Sequence, residues 1–103
     1  MKIWRVENSD GQGCYRKFGI KFLDRLVNRH DRTCLKHPIP FNDIGIERGQ
    51  ETFEICGFID KDQALNWFSK YELKKLAGIG FYLKEIEVAE ITAIGEKQVL
   101  AIR

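Results

Sequence analysis

The sequence has little of several things that usually declare a function. It holds two prolines in 103 residues and no low-complexity tract, so neither a polyproline spacer nor a flexible linker divides it. No apolar run approaches the roughly 20 residues that cross a bilayer as a helix, and no signal-peptide pattern opens the chain. Three cysteines, an odd number without repeated spacing, point to free thiols in a reducing compartment. Seventeen Lys and Arg against 15 Asp and Glu leave a formal charge of +2, far from the basic surplus of a dedicated nucleic-acid binder. The glycines of GQG and GIG lack the spacing of a phosphate loop or a dinucleotide fingerprint.

What is present has globular proportions, 44% hydrophobic and 31% charged, and one α/β (α+β) domain over residues 1–103 is expected. The chain is organised around Glu51 to Val88, read as strand, two short helices and strand. Asp60 with Gln63, and Ser69 with Glu72, match the capping box that satisfies the free N–H groups of a first helical turn. Helices are therefore predicted over 61–68 and 70–77, with Ala64, Leu65, Trp67, Phe68, Leu73, Leu76 and Ala77 facing inward. Gly78 is placed to close the second in a left-handed conformation. Phe53, Ile55 and Gly57 alternate with polar neighbours before the helices, and FYLKEIEV follows them, which predicts strands of one small twisted sheet under the helix pair.

The opening KIWRVE alternates as a strand. Arg5 in its middle fits an arginine paired with a carboxylate or an anion-binding group. Phe18, Phe22, Leu23, Leu26 and Val27 recur at three- and four-residue steps, predicting an amphipathic N-terminal helix near residues 20–30. Basic residues gather here, among them Arg25, Arg29 and Arg32, and read as a solvated face or a polyanion-facing one. Residues 31–50 contain both prolines and read as a long ordered loop, with Ile39, Phe41, Ile44 and Ile46 lying against the body. The tail ITAIGEKQVLAIR reads as a hairpin completing the sheet.

Few constellations suggest chemistry. His30, Cys34 and His37 lie close together but lack the tight paired spacing of a zinc site, so no metal is expected. Cys34 with either histidine has the residue types of a thiol nucleophile and base, and an ordinary loop cysteine explains it as well. Glu85 and Glu87 share one strand face and are explained by solubility.

The arginine-bearing first strand KIWRVE, the strand-to-helix stretch ICGFIDKDQALNWF and the late segment GEKQVLAIR together resemble a reduced ADP-ribosyltransferase-like fold. CGF, WF, EL and GF also resemble small proteins carried by bacteriophages and prophages. The transferase resemblance implies an NAD cleft in which Arg5 holds a cofactor phosphate or ribose. It puts Gln98 where active members carry a catalytic glutamate. A neutral glutamine hydrogen-bonds a hydroxyl but cannot stabilise a developing oxocarbenium charge. The serine motif of that family is absent near residues 52–57.

The expectation that follows is a cytoplasmic phage-type accessory protein in a bacterial host. It binds a host protein without catalysis and needs no cofactor; the alternative is an NAD-binding transferase-like enzyme. The surface least explained by folding is the loop bearing His37, Phe41, Asp43 and Arg48, with Arg25, Arg29 and Arg32 steering an acidic partner toward it.

Overall fold

Alternation in the first strand decides how the layers stack. In β1 (Lys2–Glu7) Ile3 points to one side, and Trp4 and Val6 point to the other. A strand apolar on both faces must be covered twice. The computed structural model, which describes residues 1–16, 25, 26, 30 and 36–103, shows how this is done.

β1 pairs antiparallel with β3 (Tyr82–Glu87), from Lys2 opposite Glu87 to Glu7 opposite Tyr82. β2 (Glu54–Gly57), β5 (Val99–Ile102) and β4 (Glu90–Ile94) form a second antiparallel sheet with β5 in the centre and a register shift between Ile91 and Ala93. Among the described residues the fold is therefore α+β with two small sheets, where the sequence predicted one. The cause lies at Val88 and Ala89. The Val88 amide donates to the Met1 carbonyl and extends the first sheet, whereas the Ala89 amide donates to the Ile102 carbonyl and belongs to the second. One continuous segment thus changes sheets at a corner. On the opposite side Trp4 and Phe58 exchange two backbone hydrogen bonds of 2.8 and 2.7 Å, joining β1 to the end of β2.

Ile3, Val88, Val99 and Ala101 fill the space between the sheets, with Ile55, Ile86 and Ile91 at its margin. This interior is thin enough that Gly57 is required. A Cβ there would lie 2.6 Å from Ile3 Cδ1 and 2.7 Å from the Trp4 carbonyl oxygen. The other face of β1 carries the larger core, in which Val6, Phe58, Ala64, Trp67, Phe68, Leu76 and Phe81 pack together with Leu26.

The helices α1 (Lys61–Trp67) and α2 (Lys70–Ala77) sit within a residue of their predicted bounds. Their caps explain why helices this short form at all. Asp60 accepts from the Gln63 amide, and the Ser69–Glu72 capping box is complete in both directions. Three local expectations change. Gly78 stays right-handed, and the left-handed residue is Gly80 at φ +89. Leu65 and Phe53 are exposed. Phe53 precedes β2, so its neighbour Glu54 takes the buried position. Of the expected N-terminal helix, Arg25 and Leu26 are helical, the first exposed and the second fully buried, and the His30 amide donates to the Leu26 carbonyl. The rest of that helix lies outside the described residues.

Candidate functional site

The loop through residues 36–50 is fastened from beneath. Asp43, buried beside the β4–β5 turn, accepts hydrogen bonds from the backbone amides of Lys97 and Gln98 at 3.1 to 3.2 Å. Gln98 is itself buried and returns its side-chain N–H to the Pro38 carbonyl at 2.8 Å. The Glu96 amide donates to the Ile44 carbonyl. A turn with Gly45 at φ +100 and Glu47 at φ +54 lets the backbone lie on Ile94. Loop and hairpin therefore form one unit held by polar groups.

Its far end is held by a second carboxylate. Arg48 grips both oxygens of Glu54 at 2.8 Å, and the Glu51 amide and the Thr92 hydroxyl donate to the same carboxylate. The hydrogen bonds from Arg48 hold the Glu54 carboxyl down at about 2 against the opposing effect of burial, and the same bonds raise the Arg48 guanidinium. On top of this base Phe41 and Ile44 are 61% and 70% exposed, with Ile39 and Ile94 also open to solvent.

A separate cavity of about 600 Å³ opens between β1, β2 and residues 11–15, bordered by Arg5, Tyr15, Phe53, Cys56, Trp67 and Gln98. Arg5 donates to Glu7 at 3.0 Å and to the Cys56 carbonyl at 2.7 Å. Burial lowers the Arg5 guanidinium, while Glu7 works to raise it. Glu7 also receives Arg103, and Lys84 stands 3.5 Å away. Burial pushes the Glu7 carboxyl up, but the hydrogen bonds and charges of Arg103 and Arg5 outweigh it and leave it below its ordinary value.

Behind the cavity wall runs a buried polar chain. Trp67 Nε1–H donates to the Tyr15 hydroxyl at 2.7 Å; that hydroxyl lies 2.5 Å from His30 Nδ1, and His30 Nε2 lies 2.8 Å from Glu72. His37 stacks on His30 with ring centroids 4.0 Å apart, and its Nε2 meets the Trp67 carbonyl.

The family model described as bacteriophage T4 Y00F protein matches residues 1–103. The chain belongs to that phage protein family. No curated protein and no solved structure matches it.

In this Y00F-family chain the expected site residues part company. Phe41 is at the surface. His37 and Asp43, expected to meet a partner, are interior groups that support the loop, because each satisfies buried backbone atoms. Arg48 is part exposed but committed to Glu54. Arg25 is exposed, and Arg29, Arg32 and Cys34 lie outside the described residues. Arg5 and Gln98 do border one cavity, although both already donate to protein acceptors. Tyr15 and Glu72 join His30 in the buried polar chain, and no spacing in the sequence links them; the Ser69 cap already accounts for Glu72. Among the described residues no helix is long and apolar enough to cross a membrane.

Proposed function

We propose that this phage protein acts in the host cytoplasm by binding a host protein, without catalysis, through the apolar surface of its 36–50 loop. The observation that carries the reading is the exposure of Phe41 and Ile44 on a segment that Asp43, Gln98 and Glu54 hold rigid. Folding gains nothing from leaving these side chains in water, and a fixed loop loses little entropy on docking. Ile39 and Ile94 extend the apolar centre, and part-exposed Arg48 stands at the edge, an arrangement of the kind that concentrates binding energy. Arg25, Arg29 and Arg32 supply the basic group that steers an acidic partner, an effect that weakens with salt.

Photoreactive benzoylphenylalanine at position 41, expressed in bacteria, is expected to trap one discrete host protein. The purified partner should then bind Phe41→Ala about tenfold or more weaker than wild type, at an unchanged unfolding midpoint. A Phe41→Ala variant that loses stability and keeps its affinity would return the ring to a structural role and sink the reading. Arg48→Ala is a poor probe here, since it strands Glu54.

A second reading is an NAD-binding, ADP-ribosyltransferase-like cleft, favoured by the shared position of Arg5 and Gln98 on one cavity. Calorimetric titration with NAD tests it. Heat of binding that survives Gln98→Ala would remove the role that the resemblance gives to this residue.

A further inference from the structure

Charge is sorted over this surface in a way that the net value of +2 conceals. Four carboxylates, Glu7, Asp43, Glu54 and Glu72, are buried. Cations over much of the molecule are matched: Lys2 by Glu85, Lys84 and Arg103 by Glu7, Arg48 by Glu54 and Lys97 by Glu96. The outer face of α2 differs. Lys70, Tyr71, Lys74 and Lys75 are all exposed there. The acid of this helix, Glu72, is turned inward to the Ser69 amide and His30. Among the described residues no ion pair engages the three lysines or exposed Lys36.

Folding explains part of this face. Lys74 and Lys75 lie in the last turn of α2, where the helix dipole favours positive charge, but Lys70 is its first residue, where the dipole opposes it. Tyr71 leaves 60% of its surface in water. Lys75 Nζ stands 5.7 Å from the centre of the Tyr71 ring, so ring and charge are presented together. Beside them the join of α1 to α2 forms a groove of about 560 Å³, within the range of small-ligand sites. Lys36, Leu65, Asn66 and Tyr71 border it together with buried Trp67 and Phe68. Asp62, one turn before Asn66 on α1, is not part of that border.

An exposed aromatic ring among lysines is the pairing that binds single-stranded nucleic acid, since the ring stacks on a base and the cations follow the phosphates. Asn66 adds a donor and an acceptor, as the edge of a base requires. A duplex keeps its base faces stacked inside, and an acidic peptide meets the charges but leaves Tyr71 and Asn66 unused. We propose that this groove is a contact site for single-stranded nucleic acid, with a base laid against Tyr71 and the flanking phosphates on Lys36, Lys70 and Lys74. The site uses neither Phe41 nor Ile44 and does not depend on the host-protein surface.

Fluorescence anisotropy of a labelled oligothymidylate, titrated with the full chain, reads the site. Binding should weaken with salt along a logarithmic slope no shallower than about −2, from three or more phosphates at about 0.7 each. Tyr71→Ala should bind about tenfold weaker for the loss of one stacked base, whereas Tyr71→Phe keeps the wild-type affinity. Lys70→Gln should flatten the salt slope by about 0.7. Lys2→Gln, which removes a cation already matched by Glu85, should change neither slope nor affinity. These side chains are exposed, so each variant should keep the wild-type thermal midpoint. No binding at low salt, or equal affinity of Tyr71→Ala and wild type, refutes the proposal. A polyglutamate peptide that displaces the oligonucleotide at equal charge would assign the face to an acidic protein segment instead, and a duplex bound as tightly as the single strand would remove the role of the base. Phe41→Ala should bind the oligonucleotide as wild type does; a loss there would move the contact to the loop and overturn the groove.

Discussion

Acid should uncouple the loop from the sheet at one carboxylate before it unfolds the rest. Glu54 is held at about 2 against an ordinary 4.5, so between these values the unfolded chain binds a proton that the folded chain refuses. The stabilisation is complete above about pH 4.5 and is lost as pH falls toward about 2. The gap between these two values, at about 1.36 kcal/mol for each tenfold change in proton affinity, sets a ceiling of about 3 kcal/mol. The carboxylate is closed off but Arg48 is 41% exposed on its outer side, and solvent there screens the pair, which brings the expected contribution to about 1 to 2 kcal/mol. Urea unfolding midpoints of wild type and Glu54→Gln, taken at intervals from about pH 6 to about pH 2, isolate this share, because Glu7 is lowered in both proteins and cancels. The wild type should lose more stability than the variant across that window, and the two curves should converge near its acid end. Parallel curves would mean that Glu54 ionises as freely in the folded protein as in the unfolded one, and the pinning of the loop would need another cause.

Asp43→Ala should cost about 2 to 4 kcal/mol, since it orphans the Lys97 and Gln98 amides and removes charge-assisted bonds. Denaturant midpoints check the cost, and faster hydrogen exchange at the Gln98 amide checks its location. Gly57→Ala should cost about 3 kcal/mol or prevent folding, because the new methyl meets backbone at the Trp4 carbonyl as well as the Ile3 side chain; a thermal midpoint within a few degrees of wild type would show that β1 and β2 can separate.

Elements were legible in this sequence where local chemistry repeats. The two caps at Asp60 and Ser69 placed both helices, and alternation placed β1 and β3. Pairing was not legible, because nothing local at Val88–Ala89 announces that the chain changes partners there. The register of β2 misled for a related reason. Phe53 is apolar and Glu54 is charged, yet three donors distant in sequence or around a turn make the buried carboxylate tolerable. The same holds for the candidate sites. Ile39, Phe41 and Ile44, expected against the body, are open to solvent and only Ile46 is buried, and the burial of His37 and Asp43 depends on backbone atoms of α1 and the β4–β5 turn. The Tyr15–His30–Glu72 chain draws its members from three separate parts of the sequence, and no spacing rule connects them.

The corner at Val88–Ala89 also sets when the protein can fold. β1 leaves the ribosome well before its partner β3, which follows some eighty positions later, from Lys2 to Glu87; β2 waits in the same way for β5, from Glu54 to Ile102. Among the described residues the local hairpin is β4 with β5, and both are made after β1, β2 and β3. Closing such long loops before any contact rewards them is slow, so folding in the range of milliseconds to seconds is expected for pairings this distant. Until then Trp4, Val6 and Phe58 remain uncovered on the growing chain. Among the described residues the capped helices α1 and α2 are a part of the core built from local contacts, and β1 docks on them.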